Sequence, residues 1–383
     1  MLPTELTDQC TAPTFPSRPQ GPRGTEPRAC HFGEGQGVVV TAGLRKARRD
    51  DSEVDSHGVA DAALRSGRRA SLRGIVERYA IVLVLGAEVT LFGVLRPNTF
   101  LTVPTLKTTL ASQSTLLIVA LGLLLCLAVG QFDLSFAGVL GLSFVTAGYV
   151  DAKLHWPLLV TIVAVLLIGA AAGAMNSLLI VGLGIDAVVV TLGMGTLLAG
   201  LSYALSAQTI SGLSPGLSDL AGHQLLGLPL VFYYAIVLTV AVWYLLKYTP
   251  LGRYVYMTGL SRTVARLSGI RVNAITSGAF VASGILSAFA GLTLAGYLGS
   301  AAPTVADGYM LPTFAAVFLG ATAIVPGRFN PWGTFFAAYT LVTGVTGLNL
   351  LGQGGWTTQV FNGASLVVAI TVARLLKKTR STS

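Results

Sequence analysis

Only six carboxylates lie beyond residue 78 of the 383-residue chain, because 10 of its 16 Asp and Glu residues precede that point. Three of the six, Glu88, Asp133 and Asp186, fall within or beside long apolar runs. A charge at membrane depth costs roughly 2.5–3.5 kcal/mol on insertion scales, so it faces a cavity or a partner. Glu88 reads either as a hydrogen bond to a neighbouring helix or as a transport group. Asp133 follows a Gly-bounded break, where its carboxylate either N-caps the next helix or meets a solute. Asp186, in a turn before the fifth apolar run, takes the capping reading. Asn176, Thr191, Gln208 and Asn349 are neutral groups that bond either solute hydroxyls or a neighbouring helix. Of all these, Asp133, Asn176, Thr191 and Asn349 are the candidate residues of a polar pathway. Cys10, Cys30 and Cys126 have no metal-ligand or disulfide spacing, and no metal site is expected. No lysine stands in a Gly-x-x-x-x-Gly-Lys-[Ser/Thr] phosphate loop, so no nucleotide or other cofactor is expected on this chain. No His-x-x-Glu-His or carboxylate cluster suggests an embedded enzyme, and too few buried acids or histidines exist to favour an ion-coupled carrier.

The elements that hold these residues are apolar. The chain is 53% hydrophobic and 11% charged, where a soluble domain carries roughly a quarter of its residues charged. Apolar runs fall near 77–95, 105–130, 133–150, 157–181, 187–206, 229–246, 273–298, 308–325, 333–351 and 357–376, separated by Pro and Gly. About 20 residues of helix cross a bilayer core. The expectation is an all-α polytopic bundle of about ten transmembrane helices in a cell membrane. Arg65 to Arg78, the basic stretch between Lys247 and Arg271, and Arg374 to Arg380 all fall on one side by span parity. The positive-inside rule makes that side, and both termini, cytoplasmic. Arg96, Lys107 and Lys153 run against the rule. The net charge of +9 reflects topology rather than a nucleic-acid partner. Residues 1–72 are rich in Pro, Gly, Arg and Ser, without apolar periodicity or a signal-peptide core, and are expected to be a disordered tail or an over-called start ahead of a membrane domain at 73–383.

The loop at about 248–272 carries the most information. Residues 261–268 form a short helical pattern closed by Gly269, with Val264, Leu267 and Ile270 on one face and Arg262 and Arg266 on another. Such a helix either docks into a groove on a soluble partner or only holds topology. The segment resembles the coupling loop of ribose-type sugar permeases in ATP-binding-cassette importers. The matching residues are Gly252, Arg253, Tyr256 and Gly259, then Ala265, Arg266, Leu267, Ser268, Gly269 and Ile270. Thr263 stands where that family usually has an acid. Gly130-Gln-Phe-Asp-Leu-Ser135, Asn176 with Leu178 and Leu179, Val189-Val-Thr-Leu-Gly193, Ala315 to Gly320 with Gly327-Arg328, and Gly347 to Gly352 resemble further segments, in order, over roughly residues 80–376.

The resemblance implies a permease subunit that moves a monosaccharide, with nucleosides or branched-chain amino acids as alternative cargo. It implies two cytoplasmic ATPase subunits that use ATP-Mg, an extracytoplasmic solute-binding protein, and a second permease copy, identical or different, within the membrane lipid of a bacterial cell membrane. Gly252, Arg253, Gly259, Arg262, Ala265, Arg266, Leu267, Ser268 and Gly269 would then couple the permease to the ATPase.

Overall fold

The computed structural model describes residues 78–352 and 354–381; the expected tail at 1–72 lies outside them. In chain order the helices are α1 Arg78–Leu95, α2 Pro97–Phe100, α3 Val103–Ala128, α4 Phe136–Ala152, α5 Leu158–Ser177, α6 Ala187–Leu205 and α7 Pro215–Gly222. They continue as α8 Leu230–Tyr248, α9 Pro250–Leu260, α10 Arg262–Leu267, α11 Val272–Leu298, α12 Met310–Gly320, α13 Pro331–Leu350 and α14 Trp356–Ser381. The bundle is polytopic and helical, as lipid requires of a backbone that must satisfy its own hydrogen bonds. Among the described residues six helices are long and apolar enough to cross a membrane: α1, α3, α5 with the π turn Leu178–Gly182 that extends it, α6, α8 and α11.

Local chemistry sets the ends. Thr102, Asp186, Ser214, Ser261 and Asn330 each accept a backbone N–H from the first turn of α3, α6, α7, α10 and α13. Pro104, Pro215 and Pro331 sit in first turns, where a missing N–H costs nothing. The helix within the expected eighth run, 308–325, is shorter than expected. Only Met310–Gly320 is α-helical, preceded by a 3₁₀ segment, Pro303–Tyr309. Eleven residues rise roughly 17 Å, about half of a hydrocarbon core. Pro303 and Pro312 interrupt the regular ladder here. Two helices arise inside segments that read as loops, α7 in the 207–228 loop and α9 in the basic loop. Among the described residues, Ile210–Ser211 pairs with Ser300–Ala301, burying Ile210 and Ala301 in the core beside α4, and Gln224–Leu225 pairs with Leu228–Pro229 in a surface hairpin.

Helices α3 and α11 form the interior, apolar on all sides and packed along one another; α11 also runs beside α4 and α5. Gly169 and Gly173 of α5 lie against the Gly284 and Phe280 carbonyls of α11, so this Gly-x-x-x-Gly pair serves internal packing. The two ends of the bundle separate by charge. At one end the basic loop, the turn 321–330 and the start of α1 meet: Tyr256 donates to the Phe329 carbonyl at 2.6 Å, and Ile324 N–H donates to the Arg78 carbonyl at 2.8 Å. At the other end Asp151 accepts from the Ser214 N–H and hydroxyl, each at 2.6 Å, which fixes the start of α7.

Candidate coupling site and translocation cleft

The basic loop is two helices at a corner. Helix α9 turns back directly from α8, and a Cβ at Gly252 would run into the Leu246 carbonyl, so only glycine fits the corner. Gly259, near the far end of α9, lies equally close to the Ala128 carbonyl at the end of α3. Along its length α9 is fastened by Tyr256, whose ring carries the Arg328 guanidinium 3.9 Å above it. Burial pushes the Tyr256 phenol up, with Arg328 opposing, so the hydroxyl stays protonated and keeps its bond to Phe329 at neutral pH.

Helix α10 follows after one capping residue, Ser261. It ends in a Schellman motif: Ile270 N–H donates to the Ala265 carbonyl, Gly269 N–H to Arg266, and Gly269 has φ +78°. Ala265 is fully buried and anchors the helix. Leu267 is 85% exposed, Leu260 is 90% exposed, and Val264 is exposed between them, beside exposed Arg262 and Arg266. Ser268 closes the turn by donating to the Val264 carbonyl. Leu267 and Val264 on this short, doubly capped helix, with Leu260 at the end of α9, make an exposed apolar surface. Arg253 does not join that surface; it lines a separate cleft with Lys247 and Arg328.

Where Gly259 touches α3, the chain breaks from α3 into α4. Gly130, at φ +76°, ends α3 with the same motif, Gln131 N–H donating to the Cys126 carbonyl. Asp133 lies just beyond and is buried. Its Oδ1 accepts from the Ser135 N–H at 2.9 Å and hydroxyl at 2.6 Å, and its Oδ2 accepts from Ser283 of α11 at 2.7 Å. Asn176 of α5 donates to the Ser135 hydroxyl at 2.7 Å. Asp133 therefore satisfies a backbone N–H at the start of α4 and ties α4 to α11, while Ser135 passes the link to α5.

The four candidate pathway residues do not converge. Asp133 and Asn176 share the buried network. Thr191 donates to the Ala187 carbonyl of its own helix. Asn349 is exposed near the end of α13. A cleft of about 230 Å³ with a mostly apolar lining lies elsewhere, between α4, α6 and the Pro303–Tyr309 segment. Thr196, Ser202 and Asp307 line it with Gly138, Gly141 and Ala306. Sequence reasoning missed it because Thr196 and Ser202 are single hydroxyls within apolar runs. Their one signal is a seven-residue-scale spacing with Gly195 and Ala199 along one side of α6.

The family described as branched-chain amino acid transport system / permease component matches residues 105–370. The chain belongs to that family. The permease is 32% identical over 314 residues to the ribose import permease protein RbsC of Escherichia coli K12, covering 80% of this chain and 97% of that protein. It is 31% identical over 298 residues to the autoinducer 2 import system permease protein LsrD of Salmonella typhi, covering 76% of this chain and 89% of that protein. No solved structure matches it. The permease is thus a multi-pass membrane subunit of an ATP-binding-cassette importer, and the basic loop and the cleft lie within the matched residues.

Proposed function

We propose that this permease carries a monosaccharide, handed over by an extracytoplasmic binding protein and driven by separate ATPase subunits that dock on α9 and α10. In this reading the chain crosses the membrane about ten times, residues 73–383 are one membrane domain, and a second permease copy completes the pathway. The relatives named for ribose and autoinducer 2 import support a sugar-like cargo. The absence of a phosphate loop from the sequence supports a borrowed energy source.

The observation that carries the proposal is the exposed surface of Leu260 at the end of α9 with Val264 and Leu267 of α10, joined through Gly259 of α9 to the end of α3. A push on α10 reaches α9 directly, and α9 has no slack against the Ala128 carbonyl. Movement therefore passes to the α3–α4 break, where Asp133 links α4 and α11. The Thr196 and Ser202 hydroxyls of the α4–α6 cleft donate to the Leu192 and Gly141 carbonyls and keep acceptor capacity for a weakly held sugar.

The test is ATP hydrolysis by the permease reconstituted with its ATPase and binding protein, wild type against the Arg266→Glu, Leu267→Asp double variant. Both residues are exposed, so the variant should fold, lose copurifying ATPase and lose sugar-stimulated hydrolysis. Solute accumulation by the permease alone on an ion gradient would instead establish a secondary carrier.

A further inference from the structure

A second cavity, of about 340 Å³, opens at the cytoplasmic end of the bundle away from the exposed face of α10. Its walls come from the end of α8, from α9 and from the turn 321–330, and they present Lys247, Arg253 and Arg328 together. Among the described residues no carboxylate offsets these three cations. Asp133 and Asp186 lie toward this end, but Asp133 accepts from Ser135 and Ser283, and Asp186 Oδ1 is taken by the Val188 and Val189 N–H groups of α6. Among the described residues none of the three cations has an ion-pair partner. Aromatic rings hold two of them, Lys247 and Arg328, instead. Arg328 lies over Tyr256, and the Lys247 ammonium is 5.1 Å from the ring centres of both Trp243 and Tyr248. Like charges gathered on one cavity raise one another's free energy, and an anion among them removes that cost.

The surroundings specify which anion. Trp243 packs against Tyr248 and Trp332, with ring centres 5.2 and 6.5 Å apart, and Tyr244 stacks on Tyr248 at 5.6 Å. Trp and Tyr gather at the headgroup level of a bilayer. Along α8, Val237, Val240 and Tyr244 are exposed at helical spacing and lead from mid-membrane to the cavity. A cationic hollow at headgroup depth with an apolar track descending from it matches a phosphate carrying acyl chains. The cytoplasmic leaflet is where anionic lipid concentrates against basic segments. We propose that Lys247, Arg253 and Arg328 bind the phosphate of an anionic phospholipid of the inner leaflet, against the α8 face. The bound headgroup would sit between α9 and the turn 321–330, and so would brace the coupling corner independently of the solute carried.

The full chain, purified from a phosphatidylglycerol and phosphatidylcholine mixture, is weighed intact with its retained lipid by native mass spectrometry. Wild type should retain phosphatidylglycerol selectively. The Lys247→Gln, Arg328→Gln double variant should lose that selectivity by roughly ten-fold or more, two cations being removed. Arg328→Lys keeps the charge and should keep the selectivity, and Lys247→Gln alone, at an exposed position, serves if the double variant fails to fold. Added inorganic phosphate should not strip the lipid, because it lacks acyl chains. Equal retention of the two lipids by wild type overturns the proposal, as does unchanged selectivity in the Lys247→Gln variant. Displacement of the lipid by inorganic phosphate at equal concentration would also overturn it, and would assign the cavity to a free anion.

Discussion

Asp133 spends both carboxylate oxygens on protein donors, two from Ser135 and one from Ser283. Its role is to hold three helices, and a solute would have to displace one of those bonds to reach it. Asp133→Ala should leave buried donors bare, at roughly 1–3 kcal/mol each, and lower the thermal unfolding midpoint of the purified permease by several degrees. Asp133→Asn keeps an acceptor and should fall between. Retained stability in the alanine variant would return Asp133 to the pathway. The same residue scale explains Gly259, where the Ala128 carbonyl occupies the place of a Cβ. Motif matching selects this glycine, but only the fold says what it touches.

At the scale of elements, the proposed coupling role asks for a firmly held surface, and α10 is short, capped at both ends and anchored by one small residue. Gly269 at φ +78° is the hinge point of its C-terminal cap. Gly269→Ala places an L side chain in the left-handed region at a cost of roughly 1–2 kcal/mol, while Asn tolerates it. ATPase copurification should therefore rank Gly269, then Asn, then Ala. Equal copurification by all three would show that the orientation of α10 does not matter to docking. Helix α9 lies where the sequence reads only as a loop, because its stretch carries Pro250, Gly252 and Gly259, residue types that weaken a helical pattern. In the fold Pro250 is an N1 proline, and both glycines are close-approach points.

For the whole molecule, the arrangement of ends makes a prediction about sidedness. Leu226 is 91% exposed in the hairpin that follows α7, at the end opposite α10. With the native thiols replaced, Leu226→Cys should react with an impermeant maleimide on intact cells. Leu267→Cys should react only after the membrane is opened. Reaction of both from one side would refute the assignment of the basic loop to the cytoplasm.

Composition alone determined that this is a helical membrane protein, since a chain this poor in charge has no other solvent than lipid. Charge placement determined its orientation, and residue order from Gly252 to Ile270 pointed to the coupling loop, because both are local properties of a linear string. Distances between segments far apart in sequence were decided only by the tertiary structure. Asp133 finds Ser283, and Lys247 meets Arg328, through helix packing that close contacts of glycine with backbone determine, and hydropathy cannot encode it. For the same reason Thr191 and Asn349, polar residues equally legible as letters, fall on a buried face of α6 and at the surface, while Thr196 and Ser202, whose hydroxyls donate to the Leu192 and Gly141 carbonyls, fall beside the cleft.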